Sequence, residues 1–127
     1  MRPKAVLDIE CFHNWFLVAV RDVTKTIPHA FEMADGGMAE ELKDTIRKIV
    51  KTYQILTFNG TGYDIPLLLY MLNGATTTQL KHASDRIILQ NLKPWHFETE
   101  FRVQLDHPEI DHVDLKPVAP MTGSLKL

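Results

Sequence analysis

Residues 54–68, Gln-Ile-Leu-Thr-Phe-Asn-Gly-Thr-Gly-Tyr-Asp-Ile-Pro-Leu-Leu, combine a strand, a turn and the start of a helix. The apolar run over residues 54–58 predicts a buried strand, and the Asn-Gly pair that follows it is typical of a turn. Pro66 suits the first turn of a helix, which we expect to continue as far as Asn73-Gly74. Asp64 is therefore expected at the start of that helix, held rigidly by the elements on both sides.

A second segment with carboxylates, Val6-Leu-Asp-Ile-Glu10, belongs to an apolar run over residues 5–9 that predicts a buried strand. Side chains at i and i+2 of a strand point to the same face, so Asp8 and Glu10 would lie about 6.5–7 Å apart along it. Two carboxylates on one face, joined by a third from elsewhere, suit a pair of divalent cations about 3.5–4 Å apart. This arrangement is typical of sites that cleave phosphodiester bonds.

Hydrophobic patterning in the rest of the chain predicts further strands and helices between these two segments and after the second. We expect further strands over residues 15–20, 27–33 and 112–115, and helices over 38–52, 66–72 and 77–92. Pro94 ends the last of these helices, and residues 95–102 carry no clear pattern. The order of elements predicts a mixed α/β fold, and the absence of repeats or linkers predicts a single domain over residues 1–127.

The composition limits the partners and the compartment. The formal net charge is −2 at pH 7, so no overall basic field attracts nucleic acid, although bound metals can supply local positive charge. Cys11 is the only cysteine, which excludes an intrachain disulfide and a cysteine-based zinc site. Arg2 and Lys4 lead directly into a short strand, without the apolar run of a signal peptide or membrane span. The expected compartment is the cytoplasm, with no membrane partner.

Together, the two segments resemble the DEDD (DnaQ-like) superfamily of 3′–5′ exonucleases, most closely its polymerase-associated and phage-encoded members. The first motif of these enzymes, Asp-x-Glu at the end of the first strand, matches Asp8-Ile9-Glu10. The second, an Asn followed by an Asp at a helix start, matches Asn59 and Asp64. His112-Val-Asp-Leu115 and Ser124-Leu-Lys126 resemble segments that follow the second motif. The resemblance covers nearly the whole chain and implies a ribonuclease H-like fold, a mixed sheet flanked by helices.

The resemblance also implies a function for each matched residue. These enzymes hydrolyse phosphodiester bonds at the 3′ end of DNA with two Mg²⁺ or Mn²⁺ ions, which activate a water and stabilise the leaving 3′ oxygen. The implied catalytic and metal-binding residues are Asp8, Glu10 and Asp64, and the implied substrate-binding residues are Ile9, Phe58, Asn59, Gly60 and Tyr63. For Phe58 and Tyr63, stacking on a base or sugar competes with packing in the core as the interpretation.

One part of the family pattern has no match. These enzymes carry a fourth carboxylate on a C-terminal helix, preceded four or five residues earlier by a Tyr or His that orients or deprotonates the attacking water. His107 and Asp111 have a similar spacing, but Pro108 disfavours helix before it, so we interpret this stretch as a solvated loop leading into a strand. Asp114, after His112, is only a reserve ligand. We therefore expect a fold without the C-terminal helices of the full family. The 127 residues alone should show weak or no activity, since a general base contributes about 10²–10⁴-fold.

Other functions agree with parts of the pattern. A catalytically silent ribonuclease H-like module would bind a protein or nucleic-acid partner, a hybrid nuclease or resolvase would share the acidic site, and Asp8 and Glu10 could serve only in surface ion pairs. The exonuclease would bind single-stranded or 3′-ended DNA, together with a polymerase or a chain that supplies the missing carboxylate. Apolar surface left open by missing helices predicts a homodimer or a partner chain. For a phage-encoded member, the compartment would be the host cytoplasm.

Overall fold

A computed structural model of the chain describes residues 1–116. Within that range the chain forms a five-stranded sheet and four helices. In chain order the elements are β1 (Lys4–Phe12), β2 (Trp15–Asp22), β3 (His29–Ala34), α1 (Glu40–Thr52), β4 (Gln54–Thr57), α2 (Asp64–Leu72), α3 (Thr77–Gln90), α4 (Pro94–Phe101) and β5 (His112–Asp114). The predicted mixed α/β class is confirmed, and the segment Ser124-Leu-Lys126 lies outside the described residues.

The sheet has β1 at its centre, in the strand order β3-β2-β1-β4-β5. The pairs β1–β2 and β2–β3 are antiparallel, whereas the pairs β1–β4 and β4–β5 are parallel. The parallel pairs bring the carboxyl ends of β1, β4 and β5 to one edge of the sheet. The loop that leads from β4 into α2 starts from this same edge.

One face of the sheet is covered in the part of the chain that the structure describes. Ala5, Leu7 and Ile9 of β1 are buried, whereas Asp8 and Glu10, which point the opposite way, are exposed. The buried side chains of the neighbouring strands share the covered face: Phe16, Val18, Val20, Phe31, Met33, Ile55 and Thr57. The opposite face, here called the open face, carries half-buried apolar side chains at Val6, Leu17, Ala19, Leu56 and Val113.

The helices are positioned by their apolar surfaces and by local caps. α1 is amphipathic and buries Ile46 and Val50, while α2 is buried along almost its whole length and packs, with α3, against β1. α3 begins with a capping box, in which the Thr76 hydroxyl accepts from the Gln79 N–H and the Gln79 side chain accepts from the Thr76 N–H. No helix within residues 1–116 is long and apolar enough to cross a membrane.

Most element boundaries follow the predictions closely; β1 extends to Phe12, beyond the predicted residues 5–9, and three further differences have a local cause. β3 starts at His29 rather than at residue 27, because Pro28 lacks an N–H for the ladder and Ile27 is exposed. α2 starts at Asp64, so Pro66 occupies the third helical position, still within the first turn. Residues 95–101, which carry no clear pattern, lie in α4 after Pro94 at its first position.

Candidate functional site

Asp8 and Glu10 lie on the open face of the central strand, Asp8 at its middle and Glu10 towards its carboxyl end. Both side chains are exposed, and neither takes part in an ion pair within residues 1–116. Their partners in register on β2 are Ala19 and Leu17, which carry no charge. The alternative in which these carboxylates serve only in surface ion pairs has no support in the described part of the chain.

Asp64 is the first residue of α2 and is only 5% exposed. The pKa of its carboxyl is raised to about 7, chiefly by burial and then by the nearby charges of Asp8, Asp114 and Glu10. A hydrogen bond from the Ile9 backbone N–H opposes this shift by stabilising the ionised form. The fold therefore brings Asp64 within electrostatic influence of Asp8 and Glu10, although more than 50 residues separate it from them in the sequence.

The loop between β4 and α2 has a shape that few residues permit. Asn59 adopts a left-handed backbone conformation (φ 69°), which Asn tolerates better than most residues. Gly60 is buried, and a Cβ at this position would overlap the Thr57 side chain. The Gly60 carbonyl accepts hydrogen bonds from the N–H groups of Tyr63 (3.3 Å) and Ile65 (2.9 Å). Asn59 and Gly60, predicted as substrate-binding residues, thus have a structural role in shaping the approach to α2.

Asp114, predicted only as a reserve ligand, fastens this loop from the neighbouring strand. Its Oδ1 accepts hydrogen bonds from the backbone N–H groups of Asn59 (2.8 Å) and Lys116 (3.0 Å), and its Oδ2 accepts one from Thr61 (3.1 Å). Burial acts to raise the pKa of this carboxyl, but the backbone donors outweigh it and hold the pKa below its ordinary value. Because both oxygens are engaged, Asp114 is an anchor for the loop rather than a free metal ligand.

Removing the Asp114 carboxylate leaves three backbone donors without their acceptor. We expect Asp114→Ala to lower the free energy of unfolding by about 2 kcal/mol, because bonds to charged acceptors contribute about 1.5–3 kcal/mol and less where solvent screens them. Asp111→Ala is the matched control, since Asp111 is exposed and meets only the Gln54 amide, at 3.3 and 3.4 Å, so its loss should change the stability by less than about 0.5 kcal/mol. Urea unfolding of both variants measures the difference, and equal stabilities would contradict the anchoring role.

The residues considered for a third motif lie in two settings. His107 and Asp111 are exposed and belong to the stretch between α4 and β5, which confirms the interpretation as a solvated loop leading into a strand. His112 is half-buried in β5, with its Nε2 atom 2.6 Å from the Thr57 Oγ1 atom. Burial lowers the pKa of His112, and the charge of Asp114 opposes this only in part. The neutral ring therefore ties β5 to β4.

The two aromatic residues predicted to contact substrate lie in different environments. Tyr63 packs against the core, and its hydroxyl lies 2.8 Å from the Ser84 Oγ atom. Burial is the main reason that the pKa of Tyr63 is raised to about 12, so this side chain favours the packing interpretation. Phe58, directly after β4, is 55% exposed and is accessible to a ligand. Ile9 buries its side chain in the core, which leaves its backbone as the part that reaches the site.

The fit of divalent ions to this site depends on the donors and on their arrangement. Carboxylate oxygens are the ligands that Mg²⁺ and Mn²⁺ prefer, so the chemistry of Asp8, Glu10 and Asp64 suits these ions. Within residues 1–116, however, no group of three or more His, Cys, Asp or Glu side chains is close enough to hold an ion as it stands. Asp64 is fixed by burial, whereas the other two carboxylates are exposed and can change rotamer. Ion binding would require them to turn towards Asp64.

These features define a mixed α/β domain in which Asp8 and Glu10 on the central strand interact electrostatically with Asp64 at the start of α2. Comparison of the chain with protein-family models, with curated proteins and with solved structures gave no match. The geometry of the carboxylates and of the loop that holds Asp64 is therefore what distinguishes one function from another.

Proposed function

We propose that this chain is a ribonuclease H-like 3′–5′ exonuclease domain that hydrolyses phosphodiester bonds at the 3′ end of DNA with two divalent ions. The proposal rests on one observation: the exposed carboxylates of Asp8 and Glu10, on the central strand, act together with burial to raise the pKa of the Asp64 carboxyl. Burial of a carboxylate beside others of like charge is unfavourable unless a proton or a cation neutralises it. The five-stranded mixed sheet and its helices are compatible with this fold at a coarse level.

In the proposed enzyme, Asp8, Glu10 and Asp64 hold Mg²⁺ or Mn²⁺. Such ions, when bound, activate a water and stabilise the leaving oxygen. The contribution of the remaining chain is to fix the carboxylates: Asp114 anchors the loop before α2, and burial holds Asp64 in place. Phe58 directly follows β4, the parallel neighbour of β1, and is accessible to a sugar or base.

We expect little hydrolysis from residues 1–127 alone. Among the described residues, the candidates for a fourth ligand and a general base are Asp114 and His112. Both already make other contacts, since Asp114 anchors the loop and His112 is held against Thr57. The loss of a general base alone slows such a reaction by about 10²–10⁴-fold. A complementing chain or a polymerase partner that supplies these groups would raise the rate.

The second candidate is a catalytically silent module of the same fold that binds a protein or nucleic-acid partner. The observation in its favour is that residues 1–116 contain no ready-made group of three metal-ligating side chains. Metal binding separates the two candidates. An exonuclease site gains about 2.7 kcal/mol of stability at a free metal concentration 100 times the Kd, whereas a silent module gains none.

Digestion of single-stranded DNA in Mn²⁺ tests the proposal, with one substrate labelled at a free 3′ end and another blocked at that end. We expect slow release of nucleotides from the free end, no cleavage of the blocked strand, and no release by Asp8→Ala. Cleavage of the blocked strand would instead indicate an endonuclease, such as a hybrid nuclease or resolvase. Absence of both hydrolysis and Mn²⁺-dependent stabilisation would rule the proposal out in favour of the silent module.

A further inference from the structure

The turn between β1 and β2 carries a pair of stacked aromatic rings. Phe12 and Trp15 are partners in register, with ring centroids 5.6 Å apart and planes inclined by 30°. Phe12 is 51% exposed, and Trp15 is half-buried. The indole Nε1 atom lies 3.4 Å from a carboxylate oxygen of Glu32, to which it donates a hydrogen bond that orients the ring. The pair is thus an apolar surface that is oriented and, at Phe12, accessible to solvent.

This aromatic pair lies on the same face and the same edge of the sheet as the carboxylates. Side chains alternate along a strand, so Asp8, Glu10 and Phe12 all point to the open face. At a rise of about 3.4 Å per residue, Phe12 is about 7 Å beyond Glu10 along β1. Phe58, also exposed, directly follows β4, which pairs with β1 on the side opposite β2. Accessible aromatic rings therefore follow both β4 and the carboxylate-bearing part of β1.

Phe12 is the more accessible member of this pair. A cross-strand aromatic pair stabilises a hairpin by about 0.2–1 kcal/mol, and about half of the Phe12 surface remains open to a ligand. An exposed planar π-face is suited to stacking with another flat, neutral ring. Each nucleobase has such a face, and an unpaired base can offer it freely, whereas inside a duplex the bases stack on one another and only the terminal pair exposes a face.

We propose that Phe12 and Trp15 form a stacking platform for an unpaired base of the strand whose backbone enters the carboxylate site. This inference rests on the proposed nuclease function, to which it adds a contact of named residues with a base of the bound strand. Stacking on aromatic side chains tolerates any base, so the platform would carry no sequence preference. The neutral base can lie beside Glu10 without repulsion, whereas the phosphates would remain next to the divalent ions of the proposed site.

The test is binding of a fluorescein-labelled, phosphorothioate-linked thymidine octamer, which resists hydrolysis, measured by anisotropy in Mg²⁺. We expect Phe12→Ala to weaken binding about 5- to 150-fold, the range that corresponds to loss of one base–aromatic stack. Trp95→Ala is the matched control, because Trp95 is an exposed aromatic residue on α4, in the helical layer, and should change the affinity less than twofold. Phe12→Leu keeps an apolar side chain but removes the π-face, so it should behave like Phe12→Ala.

Quenching of tryptophan fluorescence tests, independently of affinity, whether a base contacts the platform. Trp15 and Trp95 are the only tryptophans, so in a Trp95→Phe background the octamer should quench the emission of Trp15. Unchanged affinity of Phe12→Ala, tight binding by Phe12→Leu, or absence of quenching would overturn the platform and leave the nuclease proposal standing. Binding that depends on Phe12 while Mn²⁺-dependent hydrolysis is absent would overturn the nuclease alone. A wild-type chain that binds no octamer at millimolar concentration would overturn the platform as well.

Discussion

Asp64→Asn is expected to stabilise the metal-free protein by about 2–4 kcal/mol at pH 8, since each unit of pKa shift corresponds to about 1.4 kcal/mol. The pKa of the Asp64 carboxyl is raised to about 7, so the folded state holds its proton more tightly than the unfolded state does. Stability therefore falls as the pH rises from about 4 to about 7 and levels off above that. Asparagine has the same shape, can accept from the Ile9 N–H, and carries no charge.

Urea unfolding in EDTA at several pH values measures this effect as the difference between wild type and variant. The difference should be close to zero below pH 4 and should reach its full size above pH 7. Asp106→Asn, at an exposed carboxylate, is the control and should show no such pH dependence. Added Mn²⁺ should stabilise the wild type and not the variant, and equal stabilisation of both would contradict the assignment of Asp64 as a metal ligand.

Gly60→Ala should lower the free energy of unfolding by about 3 kcal/mol, at the upper end of the usual cost of overpacking. A Cβ at residue 60 would overlap the Thr57 side chain, which is 1% exposed and lies 2.6 Å from His112 Nε2. Thr57 therefore has no space into which to withdraw, and the loop that leads to Asp64 must shift instead. For a domain of this size the melting temperature should fall by about 10 °C.

Gly62→Ala is the matched control in the same loop. A Cβ at residue 62 would lie 3.6 Å from the Asn59 Oδ1 atom, which is an ordinary contact. Its stability should therefore change by less than about 0.5 kcal/mol. Thermal unfolding followed by circular dichroism compares the two variants. Similar melting temperatures would show that the close approach of residues 57 and 60 does not constrain the loop.

Most elements of the fold are visible in the sequence because their burial follows a regular period. Alternation over β1 separates buried Leu7 and Ile9 from exposed Asp8, and helical spacing identifies α1. α4 escapes prediction because it is short and buries only Phe97, so it has no apolar stripe to detect. A contact with the rest of the fold, rather than a local pattern, fixes that helix.

The candidate site is predictable in part for the same reason. Asp8 and Glu10 are recognisable because they interrupt the apolar run of a strand, and Asp64 because it starts a helix. The structure brings Asp64 under the electrostatic influence of the other two. The anchoring role of Asp114 is not predictable, because its partners Asn59 and Thr61 precede it by 55 and 53 residues. No local spacing links an acceptor to donors so distant in the chain.

This long separation has a consequence for the order of folding. β5 has only three residues, yet it supplies the acceptor that the Asn59 and Thr61 amides require. During synthesis, β1, β2, β4 and α2 are complete well before that strand leaves the ribosome. Until then, the Asn59 and Thr61 amides can donate only to water. Closing so long a segment has an entropic cost that local structure does not offset. We expect the site to be the last part of the domain to form and the first to open, with rapid hydrogen exchange at both amides.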